Sequence, residues 1–155
     1  RMVTIKPKKS RIIEMTGKCV SSKRTDTEVR GITMIIDEPE SVGGTNLAQT
    51  PVETTISALL GCTNVITHKI ADANNIEISN MSVNAKAHFN QMGTGLMEEV
   101  DVPMMEIELD INITTAASDD QIAILKRDLP RFCAVSKIFR QSGTDIKEIW
   151  TINRP

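Results

Sequence analysis

The stretch "QTPVETTISALLGCTNVITHKIA", Gln49 to Ala71, decides how the chain is read. Thr50 can cap a helix, Pro51 suits its first position, and Thr50 with Glu53 makes a Thr-x-x-Glu capping box. Val52, Ile56, Leu59, Leu60, Thr63, Ile66 and Ile70 then fall on one stripe at helical spacing. The spacing predicts a long, mostly buried helix ending near "ADANN", 71–75. Cys62, directly after Gly61, lies on the flank of that stripe, one turn from Leu59 and Ile66. A thiol there is either a small core residue or a reagent.

The segments before the helix alternate. Ile13, Met15 and Cys19 share one parity between Ser10 and Ser22, and Ile32, Met34 and Ile36 share another face from Val29 on. With "SSKRTD", 21–26, as the turn, these two segments read as a hairpin, followed by the loop "DEPESVGGTN", 37–46. After the helix, 76–89 alternates with a parity shift between Ile78 and Met81, which predicts a bulge or bend. Met105, Ile107, Leu109, Ile111 and Ile113 alternate with polar residues and give a strand with one wet face. Ser118 with Gln121 opens a helix running to Leu129, Pro130 interrupts it, "RFCAVSKIFRQ" makes a short helix ending at Gly143, and 145–152 is a last strand. Strands and helices do not alternate singly, so the expected class is α+β with a mostly antiparallel sheet, one domain over 2–155. The long helix is apolar over a wide arc that a thin sheet leaves partly bare, and a second copy of the chain would cover it.

Bulk properties narrow the function. The 155 residues are 40% hydrophobic and 25% charged, with a net charge of −2. Beyond "KPKK" at 6–9 no basic block stands out, so a nucleic-acid footprint is missing. No apolar run is long enough to span a bilayer, and no apolar h-region marks a secretory signal. Three cysteines without a CxxC pair fit a reducing, cytoplasmic setting better than a disulfide framework, and the two histidines lack zinc-ligand spacings, so no zinc site is expected.

Each chemical candidate has a plain alternative. Cys62 is a redox thiol or core. Cys133 sits after Pro130 in the first turn of the short helix, where free N–H groups and Arg131 favour a thiolate; its alternative is packing beside Phe132 and Val135. Cys19 is in phase with Ile13 and Met15 and is read as core. Arg30 shares the parity of Ile32, so it points to an apolar face, either snorkelling to water or acting as the cation that lowers a thiol pKa. Glu53 is used by the capping box, and a straight helix sets it roughly 13 Å from Cys62 along the axis. His68 and His88 are not placed for a Cys–His dyad.

Two stretches, "DEPESVGGTNLAQTPVETTISALLGCTNVITHKIA" (37–71) and "RFCAVSK" (131–137), resemble the OsmC/Ohr superfamily of osmotically induced and organic-hydroperoxide-resistance proteins. The resemblance is strongest to the OsmC-like branch, and it implies an intertwined α+β homodimer with long central helices. It further implies a cysteine-based peroxidase in which Cys62 attacks a hydroperoxide and Cys133 resolves it to a disulfide. No metal, flavin or haem would take part, and an external dithiol such as dihydrolipoamide would return the electrons; for the family's arginine and glutamate, Arg30 is the substitute candidate here and Glu53 stands one residue after the matching position. Three positions depart from the organic-hydroperoxide branch: Val52 follows the proline where a glutamate is expected, "TGKC" (16–19) stands for Gly-Gly-Arg with Lys18 as a weaker cation, and Ala134 follows the second cysteine. They predict broader or weaker activity. Two other classes fit the residues: a dimer whose cleft holds a small apolar ligand, and a structural module whose thiols are core.

Overall fold

The structure, a computed structural model, describes residues 9–155. Of the "KPKK" run only Lys9 falls within it. The chain divides between Thr54 and Thr55 into two compact units.

The first unit carries an antiparallel three-stranded sheet in the order β1 (Thr16–Cys19), β2 (Thr25–Val29), β3 (Ile32–Ile36). Sequence reading gives two strands here, and β2 is the one it loses. "TDTEV" has no apolar alternation, and the turn is shorter than "SSKRTD", closed by Val20 N–H to the Arg24 carbonyl at 2.9 Å. Arg30 and Gly31, at φ 55° and 76°, form the two-residue link between β2 and β3. Left-handed residues in both places match the twist of paired strands. Arg30 is therefore not on a strand, and the parity argument that aimed it at an apolar face fails. Cys19 is exposed rather than core. Alternation gives it a side of the sheet but supplies no layer on top: Ile13 is 63% and Ile32 56% exposed in the same unit.

The loop after β3 is built around Asp37, which is fully buried. Its carboxylate accepts the Thr45 hydroxyl and the amides of Thr45 at 3.2 Å and Leu47 at 3.1 Å. These donors, the Thr45 hydroxyl first, hold the carboxyl down at about 2. A Cβ on Gly44 would stand 1.9 Å from the Glu38 carbonyl oxygen, so only glycine fits. The loop leads into the helix start: the Thr50 amide donates to Glu53 at 2.8 Å, and the Glu53 amide donates to Thr50 Oγ1 at 3.2 Å.

Helix α1 spans Pro51–Ala73. Its buried positions are Leu59, Thr63, Thr67, Ile70 and Ala71, so of the expected stripe only Leu59, Thr63 and Ile70 are buried, Val52, Ile56, Leu60 and Ile66 are half-buried, and the helix is not mostly buried; Asn75 closes it at φ 54°. The second unit holds a sheet in the order β4 (Asn80–Phe89), β5 (Met104–Thr114), β6 (Asp145–Asn153). β4 pairs antiparallel with β5, but β6 runs parallel to it, so this sheet is mixed. The parallel pairing follows from the connection: α2 (Asp119–Phe132) and α3 (Ala134–Gln141) return the chain to the edge where β5 began. Ile107, Leu109, Ile111 and Ile113 face inward with at most 1% exposure.

Two local expectations change. The irregularity in β4–β5 lies at His88/Phe89, not at Ile78–Met81, because Ile78 precedes the strand. His88 pairs with Glu106 and Phe89 with Met104, which leaves Met105 as the extra residue. That bulge puts Met104 in the core and leaves Met105 47% exposed. Pro130 also does not stop α2, which continues to Phe132.

Candidate active site

Ser118 starts α2 with the expected capping box: its hydroxyl accepts the Gln121 amide at 3.3 Å, and the Gln121 side chain accepts the Ser118 amide at 2.9 Å. The helix then breaks at Cys133, whose extended backbone (φ −74°, ψ 106°) ends α2 and caps α3. Its amide still donates to Leu129 at 2.9 Å, and its carbonyl accepts the Lys137 amide at 3.0 Å. One residue thus serves two helices, and its side chain projects from the break.

That side chain meets Cys62. Cys62 is its neighbour within hydrogen-bonding reach, and the first-turn amides of Ser136 and Val135 face the Cys133 sulfur without forming a cap hydrogen bond to it. Both thiols are free; Cys133 is fully buried while Cys62 is half-buried. Burial first, then neighbouring Cys62, pushes the Cys133 thiol up to about 11, against the pull of the two amides. The pair is therefore asymmetric. The inner thiol is the one held protonated by its burial, and the outer one is the more accessible. A Cβ on Gly61 would meet nothing within 4 Å, so the backbone beside Cys62 borders open space.

The other candidates take different places. Arg30 stands exposed at its turn and makes no ion pair with a described residue. Glu53 is committed to the Thr50 amide. Both belong to the first unit, the two thiols to the second. Arg131 is not a free cation beside Cys133: it binds Asp128 at 2.9 Å, together with Arg127 at 2.8 Å. His68 Nδ1 donates to the Asn64 carbonyl, 2.9 Å away within α1, and His88 pairs with Glu106 across the sheet. Among the described residues no three His, Cys, Asp or Glu side chains converge as metal ligands, and no helix is long and apolar enough to cross a membrane.

One cluster beside the thiols was missed by sequence reading. Glu148 lies on the inner face of β6 with Ile146, Trp150 and Ile152, and it reaches Arg140, which reaches Ser136. The signal was available: a carboxylate in the row Ile-x-Glu-x-Trp-x-Ile is out of place unless it has a partner.

Comparison with known proteins follows the same lines. The sequence pattern of the family described as OsmC-like protein matches residues 44–148, more than half of the chain. The chain belongs to the OsmC-like family. Solved structures share its fold. An OsmC-like protein from Mycoplasma pneumoniae superposes with a TM-score of 0.76 at 16% identity, covering 92% of this chain and 98% of that one. An organic hydroperoxide resistance protein from Elizabethkingia anophelis gives 0.68 at 16% identity, covering 95% and 100%. The organic hydroperoxide resistance protein OhrB of Bacillus subtilis gives 0.59 at 17% identity, covering 91% and 98%. Compared by sequence with curated proteins, the chain finds no match. Membership of the OsmC-like family places this chain among relatives that include hydroperoxide-resistance proteins.

Proposed function

We propose that the protein is a two-cysteine peroxidase acting on organic hydroperoxides in defence against oxidative stress. The observation that carries this reading is the proximity of an outer, half-buried Cys62 and a fully buried Cys133. Cys62, as thiolate, attacks the terminal oxygen of ROOH. The O–O bond breaks, the alkoxide takes a proton to become ROH, and Cys62 becomes a sulfenic acid. Cys133 loses its proton and attacks the Cys62 sulfur. The S–S bond forms, hydroxide leaves and takes that proton, and one water is released. An external dithiol then exchanges with the disulfide, is itself oxidised to a disulfide, and restores both thiols.

The burial difference supports the division of roles. The first sulfur must meet substrate, and Cys62 is the less buried of the two. The second must meet only the first. Arg30, without an ion pair among the described residues, is assigned as the cation of the first step, and Glu53, which accepts the Thr50 amide, is kept as the candidate acidic residue. A homodimer accompanies this reading, supported by the apolar side chains that the first unit leaves exposed, Ile13, Met15, Ile32 and Met34 among them. Hydroperoxide consumption driven by a small dithiol tests the proposal. Cys62→Ser should abolish consumption. Cys133→Ser should allow one turnover and then stall at the sulfenic acid. Full turnover by Cys62→Ser would refute the reading.

A further inference from the structure

Glu148 stands in the apolar row of β6, opposite Leu109, with its side chain 12% exposed. It is held from two sides. Trp150 Nε1 donates to Oε1 at 3.3 Å, and Arg140 Nη2 donates to Oε2 at 3.4 Å. Burial still keeps the carboxyl above its usual range, against both donors. Arg140 goes on to donate through Nε to Ser136 Oγ at 3.0 Å, and Ser136 is 3% exposed. Ser136 also stands in the first turn of α3, the helix that Cys133 caps, and its amide is one of the two that pull the Cys133 thiol down. The connection runs from the inner face of the sheet, through Trp150, Glu148, Arg140 and Ser136, to the resolving thiol.

Helix α3 needs such a tether. It has eight residues, about two turns, too few to hold themselves by their own hydrogen bonds. Its first turn carries the amides around Cys133, and Arg140 in its last turn ties that first turn, through Ser136, to β6. A buried carboxylate is costly even when paired, and an apolar residue would fill the row at lower cost. Core packing alone therefore does not account for Glu148.

We propose that Glu148 and Arg140 are positioning residues for Cys133, fixing through Ser136 the amides that receive the resolving thiolate. The inference rests on the peroxidase reading above and concerns its second step alone. Without the tether the amides drift, the Cys133 thiolate is less stabilised, and its approach to the Cys62 sulfenic acid is less well aimed.

The test uses the reduced full chain in single turnover with one equivalent of an alkyl hydroperoxide. Alcohol release reports the first step and disulfide appearance the second. Glu148→Gln, Arg140→Met and Ser136→Ala should slow disulfide formation about tenfold, the order a small misplacement costs, so that sulfenic acid accumulates and is trapped by dimedone. Arg140→Lys should recover part of the rate. Wild-type disulfide rates in Glu148→Gln and Ser136→Ala would overturn the proposal, whether or not Arg140→Met folds. A second readout needs no peroxide. In a Cys62→Ser background, the pH profile of Cys133 alkylation should move to higher pH in the same three variants, and an unmoved profile would equally overturn it. Failure of the wild type to release alcohol would instead refute the peroxidase reading, with the alkylation profile still deciding whether this chain of residues holds Cys133.

Discussion

The buried member of the thiol pair should be almost inert in the folded, reduced protein at neutral pH. Cys133 is raised from 9.0 to about 11, by burial and then by neighbouring Cys62. At neutral pH this lowers its thiolate fraction from about one in a hundred to about one in ten thousand, a hundredfold loss of the reactive form. Full burial lowers reagent access further. The assay is a brief exposure to iodoacetamide, an acid quench, and peptide mass spectrometry at Cys133, repeated across pH and again in concentrated guanidinium. Exposed Cys19 in the same sample shows that the reagent is active. Folded Cys133 should label about a hundredfold more slowly than the unfolded chain at neutral pH, and gain about tenfold per pH unit through the alkaline range without levelling. Cys62→Ala removes the neighbouring sulfur that helps raise Cys133, so the profile should move to lower pH. Neutral-pH labelling within a few-fold of the unfolded chain, or a profile indifferent to Cys62→Ala, would refute the reasoning.

The same shift has a thermodynamic consequence. The folded protein holds the Cys133 proton more tightly than the unfolded chain, so that stability is complete below pH 9 and is lost as pH rises toward about 11, a loss of about 3 kcal/mol measurable by denaturant unfolding of reduced protein. Asp37 acts in the opposite sense: its carboxyl is held down at about 2, so Asp37→Asn should lower Tm by several degrees at neutral pH and erase the stability lost on acidification between about 4 and 2. Gly44→Ala drives a Cβ against the Glu38 backbone and should cost about 1–3 kcal/mol in chemical denaturation, with the loop 37–47 losing hydrogen-exchange protection. Glu53→Ala should cost about 1 kcal/mol through loss of the cap, whereas Glu53→Gln keeps the acceptor; a Gln variant with normal stability and impaired peroxide turnover would assign Glu53 a role beyond the cap.

The parts of the fold that sequence made legible are those where one face is buried and the other wet. The stripe on α1, the alternation of β5 and the caps at Thr50 and Ser118 each leave a periodic or local chemical mark. β2 leaves none, because "TDTEV" has polar residues on both faces. Arg30 was misplaced because a hairpin turn of two left-handed residues interrupts the parity count between Val29 and Ile32. Met105 exchanged places with Met104 through a bulge that no residue type announces. Cys19 shows that parity fixes a side of a sheet but not whether that side is covered. Cys62 and Cys133 were legible as candidates, since both stood at helix positions with chemical character, but their proximity belongs to the tertiary structure. The Glu148 cluster was legible in principle, as a charge in an apolar row.

The central claim is that Cys62 and Cys133 form one redox unit. Its most direct test is to treat the reduced protein with one equivalent of an alkyl hydroperoxide and map its disulfides by peptide mass spectrometry. A rapid Cys62–Cys133 bond, with one alcohol released per bond and Cys19 left free, is the predicted result. Free thiols at both positions with the hydroperoxide intact would contradict it.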